Sequence, residues 1–316
     1  MAKIFCFDGG GSKWGFGVMV DGQLFTGDDY KVLNPVNLED LKFIVGKAIR
    51  EKGKPDGIAI ATAGVIIDHK TVQVSPNIHW LDGVDLVKWA KDNWGVPCVV
   101  SNDMEAAVAG EMAFGNLKGI KNALMFTFST GLGGAMVVDG KIIISEPGHM
   151  KSPVLLYGSS RLCGCGKRDC AEAHLSGGAV RNHLKEAFAW REDFNEEDPC
   201  AYLDRKATEG VPWATNLYDE IGAGIGEFWA SAINLFSATE RIVYMGTFGI
   251  KAMPFMQEAI QKAMRNRVMF EHHQKLLKAP IDDDYGLIFE TALEGKNALY
   301  GAAAVYEEVL GEHHTI

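Results

Sequence analysis

Between His149 and Cys170 the chain places three of its six cysteines, Cys163, Cys165 and Cys170, within eight residues, with a histidine upstream. Glycines at 164 and 166 let the backbone turn tightly enough for Cys163 and Cys165 to face one point. Three thiolates and one imidazole make a closed tetrahedral shell for structural Zn2+. The C-x-C-x₄-C spacing is tighter than the C-x₂-C usual in zinc sites, and the competing reading is three free or disulfide-bonded thiols in a loop. Disulfides are rare in reducing compartments, and the start Met-Ala-Lys-Ile-Phe-Cys-Phe-Asp runs straight into a strand pattern rather than a signal peptide. The loop is flanked by Glu146 and Glu172. Four protein ligands leave no open position for water, so the metal reads as a scaffold for a binding site and not as a catalytic centre.

A chain of 316 residues allows one large domain or two medium ones. A formal net charge of −10 argues against nucleic acid or an anionic membrane as the main partner. No apolar run reaches the roughly 18 residues of a membrane span. The chain reads as cytoplasmic.

The first half opens with a hairpin: strand 3–8, the run Asp8-Gly9-Gly10-Gly11-Ser12-Lys13, strand 14–20, and an Asp21-Gly22 turn. Apolar spacing predicts a helix over 38–52, a buried strand over 57–62 and a strand pair over 65–74. It predicts a helix over 84–94, a strand over 98–101 ending in Asn102-Asp103, and an Ala-rich helix over 105–114. A second half starts near Asn116 and repeats the device, with strand 123–129, the run Thr130-Gly131-Leu132-Gly133-Gly134, strand 135–138, an Asp139-Gly140 turn and strand 141–144. This suggests a duplicated plan. Helices are expected over 178–190, 214–236, 254–264 and 297–310, with strands at 241–245 and 287–291. Residues 191–212, polar with two prolines, read as an irregular excursion.

Three small-residue runs at strand ends carry the chemistry. In the first, glycines let backbone N–H groups approach an anion, Lys13 adds charge, and Asp8 suits Mg2+. It is neither a Walker A loop nor a dinucleotide fingerprint. The second, Ser129 to Gly134, could face the first across a cleft and hold a nucleotide's polyphosphate. The third, Gly246-Thr247-Phe248-Gly249, precedes a helix and suits an adenosine pocket. Each alone is readable as a plain turn. Asp103 is placed to act as a base for a substrate hydroxyl, and helix capping by Asn102-Asp103 is the competing reading.

The order of these segments, Asp8 to Lys13, Ser101-Asn102-Asp103, Ser129 to Gly134, Glu146-Pro-Gly-His149 and Cys163-Gly-Cys-Gly-Lys-Arg-Asp-Cys170-Ala-Glu172, resembles the ROK family of bacterial sugar kinases, repressors and related reading frames. The Glu-x-Gly-His and cysteine segments are the most specific part. The resemblance implies an α/β chain of the actin-like ATPase (ribonuclease H-like) fold, two lobes of mixed sheet with flanking helices around a central cleft. An N-terminal lobe over 1–115 would take back the C-terminal helix at 297–316, and 116–296 would form the second lobe with the zinc loop. Asp103 would take the proton from a sugar hydroxyl, usually the 6-OH. Asn102, Glu146, His149 and Glu172 would bind the sugar, with Gly64 and Asn77 lining the site. His149, Cys163, Cys165 and Cys170 would hold Zn2+. Asp8, Gly9, Gly10, Gly11, Ser12, Lys13, Thr130, Gly131, Gly133, Gly246 and Thr247 would meet Mg2+ and ATP. A homodimer is usual for the resemblance. Glu105 stands where the family often has Asn, which bears on the choice of sugar.

The phosphate run begins at Asp8, leaving no room for the helix-turn-helix of the family's repressors. The expectation is therefore an ATP-dependent kinase for a hexose or N-acetylhexosamine. A non-catalytic sugar sensor and a zinc hydrolase are the rivals. Asp103 speaks against the first, and a four-ligand metal shell against the second.

Overall fold

The structure is a computed structural model and describes residues 2–10, 13–27, 34–189, 194, 197–284 and 286–311. Gly11 and Ser12 of the first glycine run therefore lie outside the described residues. The chain divides into two compact units, Met1–Gly119 with Ala292–Ile316, and Ile120–Thr291.

The first unit runs β1 (Lys3–Gly9), β2 (Trp14–Val20), β3 (Gln23–Phe25), α1 (Leu38–Lys52), β4 (Gly57–Thr62), β5 (Val65–Ile67), β6 (Thr71–Val74), β7 (Val84–Asp85), α2 (Leu86–Trp94), β8 (Cys98–Asn102) and α3 (Asp103–Phe114). Its main sheet has the order β3-β2-β1-β4-β8, and β5-β6-β7 form a small second sheet. β1 and β4 are buried along almost their whole length, as strands covered on both faces should be. Phe5, Phe7, Ile58, Ile60 and Val100 meet α1 and α2 through Leu41, Val45, Leu86 and Ala90.

The second unit runs β9 (Ala123–Phe128), β10 (Leu132–Val138), β11 (Lys141–Ser145), α4 (Ala171–Leu175), α5 (Gly177–Phe188), α6 (Pro199–Thr208), α7 (Pro212–Leu235), β12 (Arg241–Met245), α8 (Thr247–Arg267), α9 (Glu271–Leu276) and β13 (Ile288–Glu290). The chain then returns to the first unit as α10 (Asn297–Gly311), against α3, β1 and β4. The sheet order β11-β10-β9-β12-β13 repeats that of the first unit: an antiparallel hairpin on one side, parallel strands on the other. Phe126, Phe128, Phe228, Trp229 and Tyr244 form an aromatic core between that sheet and α7.

Four local expectations change. Leu132-Gly133-Gly134 is not turn but the start of β10. α8 starts at Thr247, seven residues before the expected start, with Pro254 in its interior, where it forgoes a single backbone hydrogen bond. Part of the expected irregular stretch 191–212 is helix α6, announced by an Asp198 N-cap and Pro199 in the first turn. Val84-Asp85, expected as helix, pairs as β7 with β6 before α2 begins.

Candidate functional site

In the first unit the parallel register sets the carboxyl ends of three strands side by side. Gly9 pairs with Thr62, and Thr62 with Asn102. Ligands of parallel sheets gather at this edge. Thr62 Oγ1 donates to the Gly9 carbonyl at 3.2 Å, and Gly10 N donates to the Lys13 carbonyl at 3.1 Å, closing the turn after β1. Asp8 is half-buried in β1 and Lys13 is exposed.

Asn102 is the N-cap of α3, and Asp103 is its first helical residue. The Asn102 carbonyl oxygen Oδ1 accepts from Met104 N at 2.8 Å and Glu105 N at 3.3 Å. Glu105 Oε2 accepts from Asn102 N at 3.2 Å, completing a reciprocal capping box. The capping reading is thus realised in the structure, and it also fixes the backbone beneath Asp103. One N–H of Asn102 Nδ2 donates to the Gly64 carbonyl at 3.0 Å, which leaves the other for a ligand. Gly64 has φ 129°, and a Cβ there would lie 2.4 Å from the Val74 carbonyl oxygen. Only glycine fits. Asn77 is exposed and makes no hydrogen bond to Gly64 or Asn102.

In the second unit, β9 and β12 are parallel, with Thr127 beside Met245, so Ser129-Thr130-Gly131 and Gly246-Thr247 leave neighbouring strand ends. Ser129 N donates to the Gly131 carbonyl at 3.0 Å. The first amides of α5 hold this turn from outside: Gly177 N donates to Ser129 O at 2.8 Å and Gly178 N to Thr130 O at 3.0 Å. A cavity of about 360 Å³ opens here, lined by Ser129, Thr130, Gly177, Arg181, Glu197, Asp198, Cys200, Ala201, Asp204, Thr247, Phe248 and Lys251. That volume suits a nucleoside-sized ligand. Arg181 and Lys251 bring positive charge. Asp204 accepts a hydrogen bond from Tyr218 Oη, and burial raises the pKa of both groups. Gly131 belongs to the turn, whereas Gly133 lies in β10.

The sequence reading missed Arg181 and Lys251. Each stands four residues after a helix's first residue, Gly177 and Thr247, and so on the face above that first turn. That spacing was available in the sequence. The direction of both helices toward one cavity was not.

The ligand atoms of His149, Cys163, Cys165 and Cys170 lie within 4.8 Å of one another. Cys163 Sγ is 3.7 Å from His149 Nδ1, and Cys165 Sγ is 3.6 Å from Cys170 Sγ. A disulfide needs about 2.05 Å, while thiolates about 2.3 Å from one zinc lie about 3.7 Å apart. The four donors therefore fit tetrahedral zinc. The loop is built for this. Cys163 N donates to Lys167 O at 2.8 Å, and Gly166 N to Cys163 O at 2.9 Å. Burial pushes the Cys163 thiol up to about 12 and raises that of Cys170, while the Lys167 amide lowers that of Cys165.

Asp169 ties the knuckle to its surroundings. Its carboxylate accepts from Lys151 Nζ at 3.0 Å, Ser160 Oγ at 3.0 Å, Arg161 N at 2.8 Å and the buried His174 Nε2 at 3.2 Å. The Lys151 ammonium, first among these, holds its pKa well below the ordinary carboxylate range. Glu172, on α4, joins the metal cluster to the glycine turn. Its Oε1 accepts from Cys163 Sγ at 3.3 Å and its Oε2 from Leu132 N at 3.1 Å. Glu146 is exposed and opens the turn that carries His149, whose N donates to Glu146 O at 3.1 Å. Gly148 seats that turn on β10, since a Cβ there would lie 1.8 Å from the Leu132 carbonyl oxygen.

Comparison with known proteins gives a consistent picture. The sequence profile of the ROK family matches residues 5–308. A glucokinase of Streptomyces coelicolor is 28% identical over 258 residues, 75% of this chain and 79% of that one. An N-acetylmannosamine kinase of Vibrio cholerae is 27% identical over 199 residues, 59% and 66% of the two chains. The crystal structure of a ROK hexokinase from Thermus thermophilus superposes with a TM-score of 0.74 at 26% identity, covering 98% of this chain and 99% of that one. The fold is that of the actin-like ATPases.

Proposed function

The chain belongs to the ROK family, and from that premise we propose that it is an ATP-dependent kinase for a hexose or an N-acetylhexosamine. The observation that carries the reading is the placement of Asp103. It begins a helix directly at the carboxyl end of β8, in a row with the glycine turn after β1, on a backbone locked by a capping box.

In this reading Asp103 accepts the proton of a sugar hydroxyl, the 6-OH in a hexose, as the oxygen attacks the γ-phosphorus of ATP and the bond from that phosphorus to the β,γ-bridging oxygen breaks, releasing ADP. The free N–H of Asn102 and the carboxylates of Glu146 and Glu172 orient the sugar, with His149, Gly64 and Asn77 beside it. The Ser129–Gly131 turn and Thr247 receive the phosphates through backbone N–H groups, while Arg181 and Lys251 offset their charge. Asp8 and the turn after it are the proposed Mg2+ and phosphate contacts, and Mg2+ there supplies neutralisation of the phosphate charge.

Zinc fits the Cys₃His set, and its role is to hold the loop between Glu146 and Glu172. A thiolate has no proton to donate, so metal-bound Cys163 leaves Glu172 Oε1 open to a sugar hydroxyl. A homodimer and a cytoplasmic location complete the proposal. Among the described residues no helix is long and apolar enough to cross a membrane.

The test is ADP release with MgATP against a panel of hexoses and N-acetylhexosamines, with Asp103→Asn alongside. Turnover on one sugar should fall by about 10²- to 10⁴-fold in the variant, with sugar affinity kept. Sugar binding without turnover in the wild type refutes the kinase reading in favour of a sensor.

A further inference from the structure

Position 105 departs from the family's pattern, and the structure shows what Glu105 does there. Its Oε2 caps the Asn102 amide at 3.2 Å, and its Oε1 faces His69 Nε2 at 3.8 Å. His69 comes from the β5–β6 turn, thirty-odd residues earlier, and grips β8 twice. The His69 carbonyl accepts from Val100 N at 2.9 Å, and His69 Nδ1 lies 3.2 Å from the Val100 carbonyl. A carbonyl oxygen only accepts, so Nδ1 carries the hydrogen and Nε2 is the nitrogen turned to Glu105. β8 is the edge strand of its sheet, and His69 closes the open edge two residues before Asn102. His69 and the preceding Asp68 both have left-handed backbones, φ 50° and 51°. Lys70 N donates to the Ile67 carbonyl at 3.0 Å across these two residues, so they are the central residues of the β5–β6 hairpin turn, a turn type in which both are left-handed, and the turn delivers the His69 ring to β8.

We propose that His69 and Glu105 form a positioning pair for the proposed base: the imidazole clamps β8 through Nδ1 and, as imidazolium with a hydrogen on Nε2 too, steadies the Glu105 carboxylate, which in turn fixes the Asn102 amide and so the backbone carrying Asp103. The effect of the pair on turnover rests on the kinase reading above. Its effect on the backbone does not.

The pair is tested with His69→Asn, Glu105→Ala and Glu105→Gln. Asparagine tolerates the left-handed turn but is too short to reach Glu105. Glutamine keeps an oxygen for the Asn102 amide and offers its N–H₂ to the lone pair of Nε2 in the neutral ring, whose hydrogen sits on Nδ1. Two readouts are taken at matched Tm: amide hydrogen exchange at Asn102, and kcat and KM on the sugar that is turned over. His69→Asn and Glu105→Ala should speed exchange at Asn102 by about ten-fold or more. They should also lower kcat by roughly 10- to 100-fold with sugar KM little changed, because a displaced base harms the chemical step and not ground-state binding. Glu105→Gln should restore most of both. Wild-type exchange and kcat in His69→Asn overturn the pair, as does Glu105→Gln failing as badly as Glu105→Ala. If the wild type turns over no sugar, the kinase reading falls, and exchange at Asn102 still decides the pair.

Discussion

Gly148 offers the sharpest perturbation of the metal loop. A methyl group at this position would begin 1.8 Å from the Leu132 carbonyl oxygen, a backbone atom of β10 that cannot rotate away. To reach an ordinary contact of about 3.5 Å, the Pro147–His149 turn must retreat by about 1.7 Å. Zinc ligands tolerate only about 0.2 Å of error. The retreat therefore carries His149 out of the shell and leaves three sulfurs. Zinc affinity in Gly148→Ala should fall by at least about 10- to 100-fold, the range seen when ligand support is lost. Displaced packing against β10 should lower stability by about 1–3 kcal/mol. The control is Gly164→Ala, between two of the cysteines, where an added Cβ meets nothing within 4 Å. It should bind zinc as the wild type does and stay within about 0.5 kcal/mol of it. Competition with a chromophoric chelator and a thermal melt measure both quantities. Equal zinc affinity in the two variants, or a Gly148→Ala protein indistinguishable from wild type, refutes the reasoning.

Other expectations follow from single side chains. Removal of zinc by a strong chelator should raise the sugar KM while leaving the ATP KM nearly unchanged, because Glu146 and Glu172 flank the metal loop; equal effects on both substrates argue against a sugar role for these carboxylates. Lys251→Ala should raise the ATP KM by roughly ten-fold, the loss of a charge-assisted hydrogen bond of about 1.5 kcal/mol, with sugar affinity intact by calorimetry. Glu111 is fully buried, and its carboxylate accepts from Asn116 N at 2.7 Å, Ala292 N at 3.1 Å and Asn297 Nδ2 at 2.9 Å. Glu111→Ala orphans these donors, and denaturant titration should show about 3–5 kcal/mol of lost stability. Asp169 has a pKa depressed in the folded state, so its contribution is full above the ordinary carboxylate pKa of about 4 and is lost as pH falls toward the folded value. Melts of Asp169→Asn should start lower at neutral pH and decline less below about pH 4 than those of the wild type; parallel curves contradict the assignment.

Much of the site could be read from residues close in sequence. The ligand types for zinc lie in one 22-residue span, and the cysteine spacing leaves the chain few ways to fold other than around one point. The strand-ending glycine runs were visible because they interrupt apolar strands abruptly. What local patterns concealed were element boundaries. Pro254 looked like a helix start because proline favours the first turn, yet α8 begins at Thr247, where Gly246 takes φ 96° against the Phe128 carbonyl. Helix α6 hid among charges because only Pro199, Tyr202, Leu203 and Ala207 of its ten residues are buried with Cys200, Asp204 and Lys206 partly so, too short a run for a clear period.

The sequence by itself determined the family, the repeated strand–turn–strand plan, the donor set for a closed metal shell and an acid at the end of a buried strand. These depend on residue type and spacing within a few turns of chain, which local backbone geometry converts directly into structure. Tertiary structure alone decided which distant groups meet: His69 with Glu105, Glu172 with both Cys163 and the turn before Leu132, and Arg181 with Lys251 around one cavity. Their meeting is set by sheet register and by how helices seat on a sheet, and register is a property of paired strands that no single segment carries.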